Sequence, residues 1–359
     1  MTARSSVVTL TPLLGFPEVR HGDDLAEVVL KALQDNRIEL LDGDILVVSS
    51  KIVSKAMGLS APLADRDEMV ASQTVRVVAE RISPWGVTRI VETVAGPVMA
   101  AAGVDASNTA DASIVLVLPV DPDAVAAEIR GGVTIGWEAQ SGRHLRLGVV
   151  LSDTAGRPWR TGQVDFALGA AGIQVVDDLR GSIDADGRML SVTERCIADE
   201  VAAAADLVKG KATGVPVAHI RGLGQYVPGL DSISGARVPG ARDLVRTGPG
   251  DWFSLGQAEA VRAALGVDPG SVEASAVGMS SMNVETVADK AGRALRVALL
   301  TCPEASAHVD GDTIRLVAVD DFMLGVAATR AEVALRGEGL TTTLTRSDRT
   351  QPRAVIAFQ

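Results

Sequence analysis

The sequence predicts a mixed α/β fold in two domains, because helical and strand patterns alternate along its 359 residues. Apolar residues recur at helical spacing in 22–33, and 44–50 is a short apolar run with neighbouring valines. The stretch 223–250 is rich in Gly, Pro and Ser and separates these elements from a second set. We therefore predict a domain over 1–248 and a smaller α/β domain over 249–359.

The elements of the first domain follow from the same periodicities. Helix 22–33 has an Asp-rich start, which suits a helix N-terminus, and strand 44–50 contains the uninterrupted apolar run ILVV, as expected for a strand buried on both faces. The remaining predictions are a helix at 65–82, strands at 114–119, 145–152 and 216–222, a Gly-rich loop or hairpin at 128–143, and a helix that starts at a capping box of Ser191 and Glu194 and ends near Gly210.

The second domain contains alternating helix and strand candidates as well. They are helices at 254–265, 284–294 and 321–337, and strands at 295–301, 313–319 and 354–358.

Composition narrows the classes of partner. The net charge is −11, from 34 basic and 45 acidic residues, which argues against nucleic acid or an anionic membrane as the main partner. Small anionic molecules remain possible through a local basic cluster. The two cysteines form no disulfide framework, and no apolar run reaches the ~20 residues of a membrane span, so we expect a cytoplasmic protein.

Three predicted strands end in polar clusters: VVSSKIVSK, VVLSDTAGRPWR and VAHIRG. Ligands of α/β folds gather at strand carboxyl ends, so these three ends are expected to form one site. Lys51 and Lys55 can supply ammonium groups to phosphates, with hydroxyl donors from Ser49, Ser50 and Ser54. The alternative is a solvated turn between a strand and a helix.

Carboxylates near two of these strands suggest a cation site. Asp153 and Thr154 directly follow an apolar strand, and Mg²⁺ takes carboxylate, hydroxyl and phosphate oxygens. Asp105 and Asn108 lie in a turn-like stretch before another strand, where an Asx turn is the alternative explanation.

The loop after Asp153 carries groups that suit an anion. Arg157 and Arg160 can bind phosphate or carboxylate oxygens in bidentate fashion, and Trp159 offers an aromatic plane or core packing. The sequence KGKATG at 209–214 resembles a phosphate clamp only loosely, and no P-loop or GxGxxG fingerprint is present. The four histidines show no metal-ligand spacing and are interpreted as structural.

Five motifs, in this order, resemble the coenzyme F420-0:L-glutamate ligase family: GFPEVRHGDDLAEVV, GDILVVSSKIVSKAMG, AAAGVDASN, VVLSDTAGRPWRTGQVDFALGAAGI and TERCIADEVAAAADLVKGKATGVPVAHIRG. The resemblance covers roughly 7–250. It implies the family's own F420 γ-glutamyl ligase fold, in a homodimer. It also implies a GTP-dependent enzyme of coenzyme F420 biosynthesis that joins L-glutamate to F420-0 through an acyl phosphate and then extends a γ-linked tail.

The resemblance also assigns site residues. It implies Mg²⁺ or Mn²⁺, in a pair of ions with K⁺ as a further candidate, at Asp105, Asp153 and Thr154. Catalytic roles fall to Asp153, Arg157, Arg160 and Lys51. Nucleotide contacts are expected at Gly15, Phe16, Pro17, Glu18, Ser49, Ser54, Lys55, Asn108, Lys209, Gly210, Lys211, Ala212, Thr213 and Gly214.

The segment 249–359 faintly resembles a late helix of the flavin-binding, nitroreductase-like domain that some relatives carry, but it is short for that domain. We expect a reduced or divergent domain without flavin. Two alternatives remain open: a bifunctional ligase and flavin oxidoreductase, and a deazaflavin-binding protein without catalysis.

Overall fold

The computed structural model describes residues 7–84, 86–109, 111–229, 239–348 and 351–359. The chain forms two compact units. One contains the residues up to Gln73 and those from Thr93 to Arg246, and the other contains Thr74–Glu92 and Thr247–Gln359. Part of the Gly-, Pro- and Ser-rich stretch used for the boundary prediction, 230–238, lies outside the described residues.

The α-helices are α1 (Leu25–Asp35), α2 (Ser50–Ala56), α3 (Arg66–Ser72), α4 (Pro122–Ser141), α5 (Ile197–Lys209), α6 (Gln257–Ala264), α7 (Val272–Val277), α8 (Val287–Leu299) and α9 (Asp321–Gly337). The strands are β1 (Thr9–Pro12), β2 (Asp44–Ser49), β3 (Ser60–Pro62), β4 (Thr74–Ser83), β5 (Gly86–Thr93), β6 (Val98–Ala100), β7 (Ile114–Leu116), β8 (Leu147–Arg157), β9 (Arg160–Ala171), β10 (Val176–Asp178), β11 (Glu194–Cys196), β12 (Val217–Arg221), β13 (Ser280–Ser281), β14 (Ala305–Asp310), β15 (Thr313–Ala318), β16 (Thr342–Asp348) and β17 (Arg353–Phe358).

The first unit is built on a sheet with the strand order β1-β12-β2-β8-β9, and this confirms the mixed α/β class. Strands β2 and β8 are parallel, and the other neighbours are antiparallel. Alternate residues of β2 face opposite sides, as strand geometry requires. Leu46 and Val48 pack in the core that contains residues of α1 and α4, whereas Ile45 and Val47 pack in the core that contains residues of α5.

Helix α4 overturns the predicted loop or hairpin at 128–143. Glycines suggested a loop because each costs a helix about 1 kcal/mol relative to alanine. Two of them instead allow a close approach of helices: a Cβ on Gly132 would lie 2.5 Å from the Cβ of Ala26 on α1, and one on Gly136 would lie 2.5 Å from Cδ1 of Leu30. The glycines are therefore sites of helix packing rather than helix ends.

Further boundaries differ from the sequence predictions. The predicted strand 145–152 continues as β8 to Arg157, so Asp153 and Thr154 lie within a strand rather than after one. The helix at 65–82 ends at Ser72, because the β-branched run that follows forms β4. Helix α5 starts at Ile197 instead of the Ser191 capping box, since Glu194–Cys196 pairs with β10. The predicted strand 295–301 mostly continues α8, which buries Ala291, Ala294, Leu295 and Ala298 on one face. Helix α1, capped by Asp24, and the α5 end at Gly210 are confirmed.

The second unit contains an antiparallel sheet with the order β14-β15-β17-β16, packed with residues of α8 and α9. Its inner charges are paired: Glu338 accepts hydrogen bonds from Arg262 at 2.8 Å and from Arg293 at 2.6 Å, and Arg293 also contacts Glu285. Burial raises the pKa of Glu338 by itself, but the two guanidinium groups outweigh it and leave the pKa below its usual range. Over the described part of the chain, no helix is long and apolar enough to cross a membrane.

Candidate active site

A cavity of about 460 Å³ lies in the first unit, where the parallel pairing of β2 with β8 ends and β8 continues alone with β9. The last residues of the paired segments, Ser49 and Ser152, are register partners and both line it. The two polar segments that follow the paired residues therefore line one cavity, and their role as a site stays a prediction. Most of the predicted site residues line this cavity: Phe16, Pro17, Glu18, Ser49, Lys51, Lys55, Asn108, Asp153, Thr154, Lys209, Gly210, Lys211, Ala212 and Gly214.

The third strand end does not join the site, so that expectation is wrong. Strand β12 runs antiparallel to β2, and the cavity therefore meets its beginning, at Val215 and Pro216. At the opposite end, Asp44 accepts hydrogen bonds from Arg221 at 2.8 and 3.0 Å and contacts Nε2 of His219 at 2.7 Å. Burial raises the pKa of Asp44, but these partners outweigh it and hold the pKa low. His219 is thus a buried structural residue.

Several predicted residues lie outside the cavity lining. Ser54 is buried and donates a hydrogen bond to the carbonyl of Val117 at 2.7 Å. Arg157 and Arg160 are opposite each other in the backbone register of β8 and β9, next to the turn that joins these strands. At ~3.3 Å per residue, Arg157 is roughly 13 Å along the strand from Asp153. The catalytic role of Arg157 and Arg160 stays a prediction. The other predicted residues outside the lining are Gly15, Asp105 and Thr213.

Asp105 sits beside the cavity in a tight turn, with the amide of Ser107 donating to Oδ1 at 2.8 Å. Its Oδ2 accepts from Lys51 and from the hydroxyl of Ser107. Burial raises the pKa of Asp105, but the Lys51 ammonium outweighs it, so the pKa lies below its usual range. The Asx turn and the ion pair with Lys51 are both present.

Asp153 differs from Asp105 because its carboxylate lacks an ammonium or guanidinium partner among the described residues. The hydroxyl of Ser50 donates a hydrogen bond to Oδ1 of Asp153 at 3.1 Å. Burial raises the pKa of Asp153, and the charge of Lys51 offsets this only in part. A carboxylate in this state is stabilised by any cation that reaches it.

The oxygen donors at this place fit a hard cation. Asp153, Asp105 and the hydroxyl of Thr154 are the ligand types that Mg²⁺ and Mn²⁺ accept, together with oxygens of a bound substrate. Over the described residues, no group of three or more His, Cys, Asp or Glu side chains could by itself hold a metal. The protein's own donors are therefore too few for a full cage and suit an ion shared with phosphate.

A buried hydrogen-bond network forms part of the cavity lining. Its central residue, Asp165, was not among the residues predicted from the sequence. The ammonium of Lys209 lies 2.8 Å from Oδ2 of Asp165 and 2.6 Å from the hydroxyl of Ser152. Asp165 also accepts from the hydroxyls of Ser152 at 2.8 Å and Thr154 at 2.7 Å. Burial raises the pKa of Asp165, but Lys209 and the hydroxyls outweigh it and lower the pKa. A signal for Asp165 was available: a carboxylate inside the otherwise apolar strand sequence VDFAL.

The segment after α5 closes one side of the cavity. Lys211 donates from Nζ to the Thr154 hydroxyl at 3.1 Å, and its carbonyl accepts from Nδ2 of Asn108 at 3.2 Å. Asn108 has a φ of 57°, a left-handed conformation that asparagine tolerates better than most residues. The opposite side carries the ion pair of Lys55 and Glu18, at 2.6 Å. The cavity is thus bordered by ammonium groups from two directions.

Asp206 is a second cavity residue that the sequence analysis did not identify. It lies on α5 one turn before Lys209 and lines the cavity. Burial and the charge of Asp165 raise the pKa of its carboxyl, while Lys209 and Lys211 act in the opposite direction.

Comparisons with known proteins agree with this geometry. Residues 14–222 match the family model described as F420-0:Gamma-glutamyl ligase. A protein of Halobacterium salinarum named Coenzyme F420:L-glutamate ligase is 38% identical over 228 residues, which are 58% of this chain and 84% of the relative. Proteins of the same name are 37% identical in Halorubrum lacusprofundi, with the same coverage, and 36% identical over 234 residues in Archaeoglobus fulgidus, with 60% and 88% covered. The chain is therefore a ligase that belongs to the F420-0:gamma-glutamyl ligase family.

Proposed function

We propose that the chain is a GTP-dependent ligase of coenzyme F420 biosynthesis that joins L-glutamate to F420-0 and then extends a γ-linked tail. The observation that carries this proposal is the cavity where the pairing of β2 with β8 ends. Every residue that lines it falls within 14–222, the segment that matches the family model. The relatives named Coenzyme F420:L-glutamate ligase support the same substrates.

The charges of the cavity suit the activation of a carboxylate. A carboxylate is a poor electrophile until it is phosphorylated, and phosphoryl transfer brings several negative charges together. Lys51, Lys55 and Lys211 line the cavity and can stabilise these charges with ammonium groups. The amine of glutamate then displaces phosphate from the acyl phosphate, so no nucleophile from the protein is required.

Asp105, Asp153 and Thr154 would hold Mg²⁺ or Mn²⁺. Bound there, the metal supplies positive charge that neutralises phosphate oxygens of the nucleotide. Among the residues that the structure describes, Asp153 has no ammonium partner, and this supports the assignment because a cation would compensate its buried charge. K⁺ is a further candidate ion.

The remaining lining residues form the proposed nucleotide site. Phe16 and Pro17 offer apolar surface on one side, and Asn108 and the 209–214 segment offer amide and backbone groups on the other. Ser49 stands at the end of β2, between these two sides. We further propose a cytoplasmic homodimer, in which 249–359 is a divergent domain that does not take part in the first glutamate addition.

The test is direct. Purified protein is incubated with F420-0, GTP, Mg²⁺ or Mn²⁺ and glutamate, and the deazaflavin is analysed by mass spectrometry. We expect mass increments of one or more glutamate residues that depend on GTP, with release of GDP and phosphate. A variant with Asp153→Asn serves as the control for contaminating ligase. An unchanged F420-0 mass with either metal would refute the proposal.

A further inference from the structure

The charged groups that line the cavity do not all pair with one another. Lys55 pairs with Glu18, Lys209 with Asp165, and Lys51 with Asp105 beside the cavity. Over the described residues, three lining charges remain without an ion pair, and they are Lys211, Asp153 and Asp206. Asp153 and Lys211 already have places in the proposed cation and phosphate sites. The carboxylate of Asp206 has none.

The surroundings of Asp206 define which ligand it could take. Within the described part of the chain, its carboxylate makes no hydrogen bond or ion pair, although it is half-buried on the cavity wall. Asp165, Lys209 and Lys211 are the charged groups that face it. A partly buried carboxylate without a partner favours a cation or an N–H donor and repels phosphate and carboxylate groups.

The position of Asp206 also indicates which end of the cavity it serves. Its neighbour Asp165 accepts a hydrogen bond from Thr154, which is one of the proposed cation ligands. Asp206 therefore lies toward the end where the acyl phosphate would form. Among the proposed substrates only the incoming glutamate carries an ammonium group, and the N–H donors of guanine lie at the opposite end of GTP from its γ-phosphate.

We propose that Asp206 binds the ammonium group of the incoming glutamate and accepts its proton. This inference rests on the proposed function. The ammonium transfers one proton to the Asp206 carboxylate, and the free amine attacks the acyl carbon. The new C–N bond forms as the bond between the acyl carbon and the phosphate oxygen breaks, and phosphate leaves with the electron pair. The second nitrogen proton goes to the departing phosphate, and Asp206 returns its proton to solvent.

The pKa of Asp206 agrees with this role. Burial and the neighbouring Asp165 raise it, and a general base works best when its pKa approaches the working pH. The nearby Lys209 and Lys211 act in the opposite direction and limit the rise.

The test separates the amine step from the activation step. Hydroxylamine traps acyl phosphates as hydroxamates. Because it is uncharged near neutral pH, it does not need a carboxylate that binds an ammonium group. We expect Asp206→Asn to lower kcat/KM for glutamate roughly 100-fold or more, because both the binding of the ammonium and the removal of its proton are lost, with hydroxamate formation unchanged. Asp206→Glu, which keeps the charge, should restore part of the glutamate reaction.

The matched control is Glu200→Gln, on the same helix but outside the cavity, where Glu200 pairs with Arg195. It should retain wild-type kinetics with both amines. Wild-type glutamate kinetics in Asp206→Asn, or an equal loss of glutamate and hydroxylamine reactions, would overturn the inference. If the wild-type protein forms neither hydroxamate nor a glutamate adduct, the proposed function itself fails.

Discussion

The two lysines that follow Asp206 offer a matched pair of substitutions that tests the cavity floor. Lys209 is only 4% exposed in its side chain and pairs with Asp165, whose side chain is 5% exposed. Lys211, two residues later, is exposed and donates a hydrogen bond to the hydroxyl of Thr154. Replacing each with methionine keeps much of the side-chain length and removes the charge. Lys209→Met should destabilise the first unit, and Lys211→Met should not.

The magnitude follows from what Asp165 retains. Removing one partner of a buried ion pair costs about 3 to 5 kcal/mol, because the other charge stays buried. Asp165 keeps its hydrogen bonds from Ser152 and Thr154, so we expect the lower value, about 3 kcal/mol. In a unit of this size, that loss lowers Tm by roughly 6 to 12 °C. Lys211→Met should stay within about 0.5 kcal/mol of wild type but bind GTP more weakly.

The pH dependence supplies a second readout. The pKa of Asp165 lies below its ordinary value in the folded protein, so its contribution to stability is present above the unfolded pKa and is lost as pH falls. Without Lys209, burial raises the pKa of Asp165, and protonation then relieves the unpaired charge. The difference in Tm between wild type and Lys209→Met should therefore be smaller at about pH 5 than at about pH 7.5.

The assay is thermal unfolding followed by circular dichroism, with GTP affinity measured by calorimetry on the same samples. Equal stability of Lys209→Met and wild type would refute the reasoning. It would mean that the ammonium of Lys209 is available to ligands rather than committed to Asp165.

Three further predictions concern the site and the fold. Asp153→Asn should lower turnover roughly 100-fold or more with an unchanged circular dichroism spectrum, and near-normal turnover with the same metal dependence would contradict this. Gly131, where an added Cβ meets nothing within 4 Å, should tolerate alanine with a gain of up to about 1 kcal/mol, whereas Gly132→Ala should cost about 1 to 3 kcal/mol. Denaturation midpoints of the two variants that shift equally would argue against the packing explanation. The purified full-length protein should show no flavin absorbance, and stoichiometric bound FMN would disprove a flavin-free 249–359.

The sequence predicted the strands that carry the site because their signal is local. DILVVSS contains four consecutive apolar residues, Ile45–Val48, which suits a strand covered on both faces, and polar residues begin directly after them. The parallel pairing of β2 and β8 then brings Ser49 beside Ser152. Lys51 and Asp153, which follow this paired segment, both line the cavity, although Asp153 lies within β8 rather than after it.

The parts that were missed depend on contacts between distant segments. The direction of β12 is set by its antiparallel pairing with β1 and β2, and the ending VAHIRG carries no information about that choice. Asp165 is identified as a site residue only once the β8–β9 register places it opposite Thr154. The helix at α4 was missed because Gly132 and Gly136 reduce helix propensity locally but permit contact with α1.

The segment Thr74–Glu92 belongs to the second unit, although the rest of that unit begins only at Thr247, and this affects the synthesis of the protein. The amide of Glu80 donates to Glu259, and the amide of Gly270 donates to the Glu80 carboxylate 190 positions earlier in the chain. At ~5 to 20 residues per second, a ribosome needs roughly 10 to 40 s to deliver those partners. During that interval β4 lacks its hydrogen-bond partners Glu259 and Gly270, and its exposed edge can pair with another nascent chain. A chain whose translation is arrested near Arg246 would never receive these partners, and the edge of β4 would stay exposed.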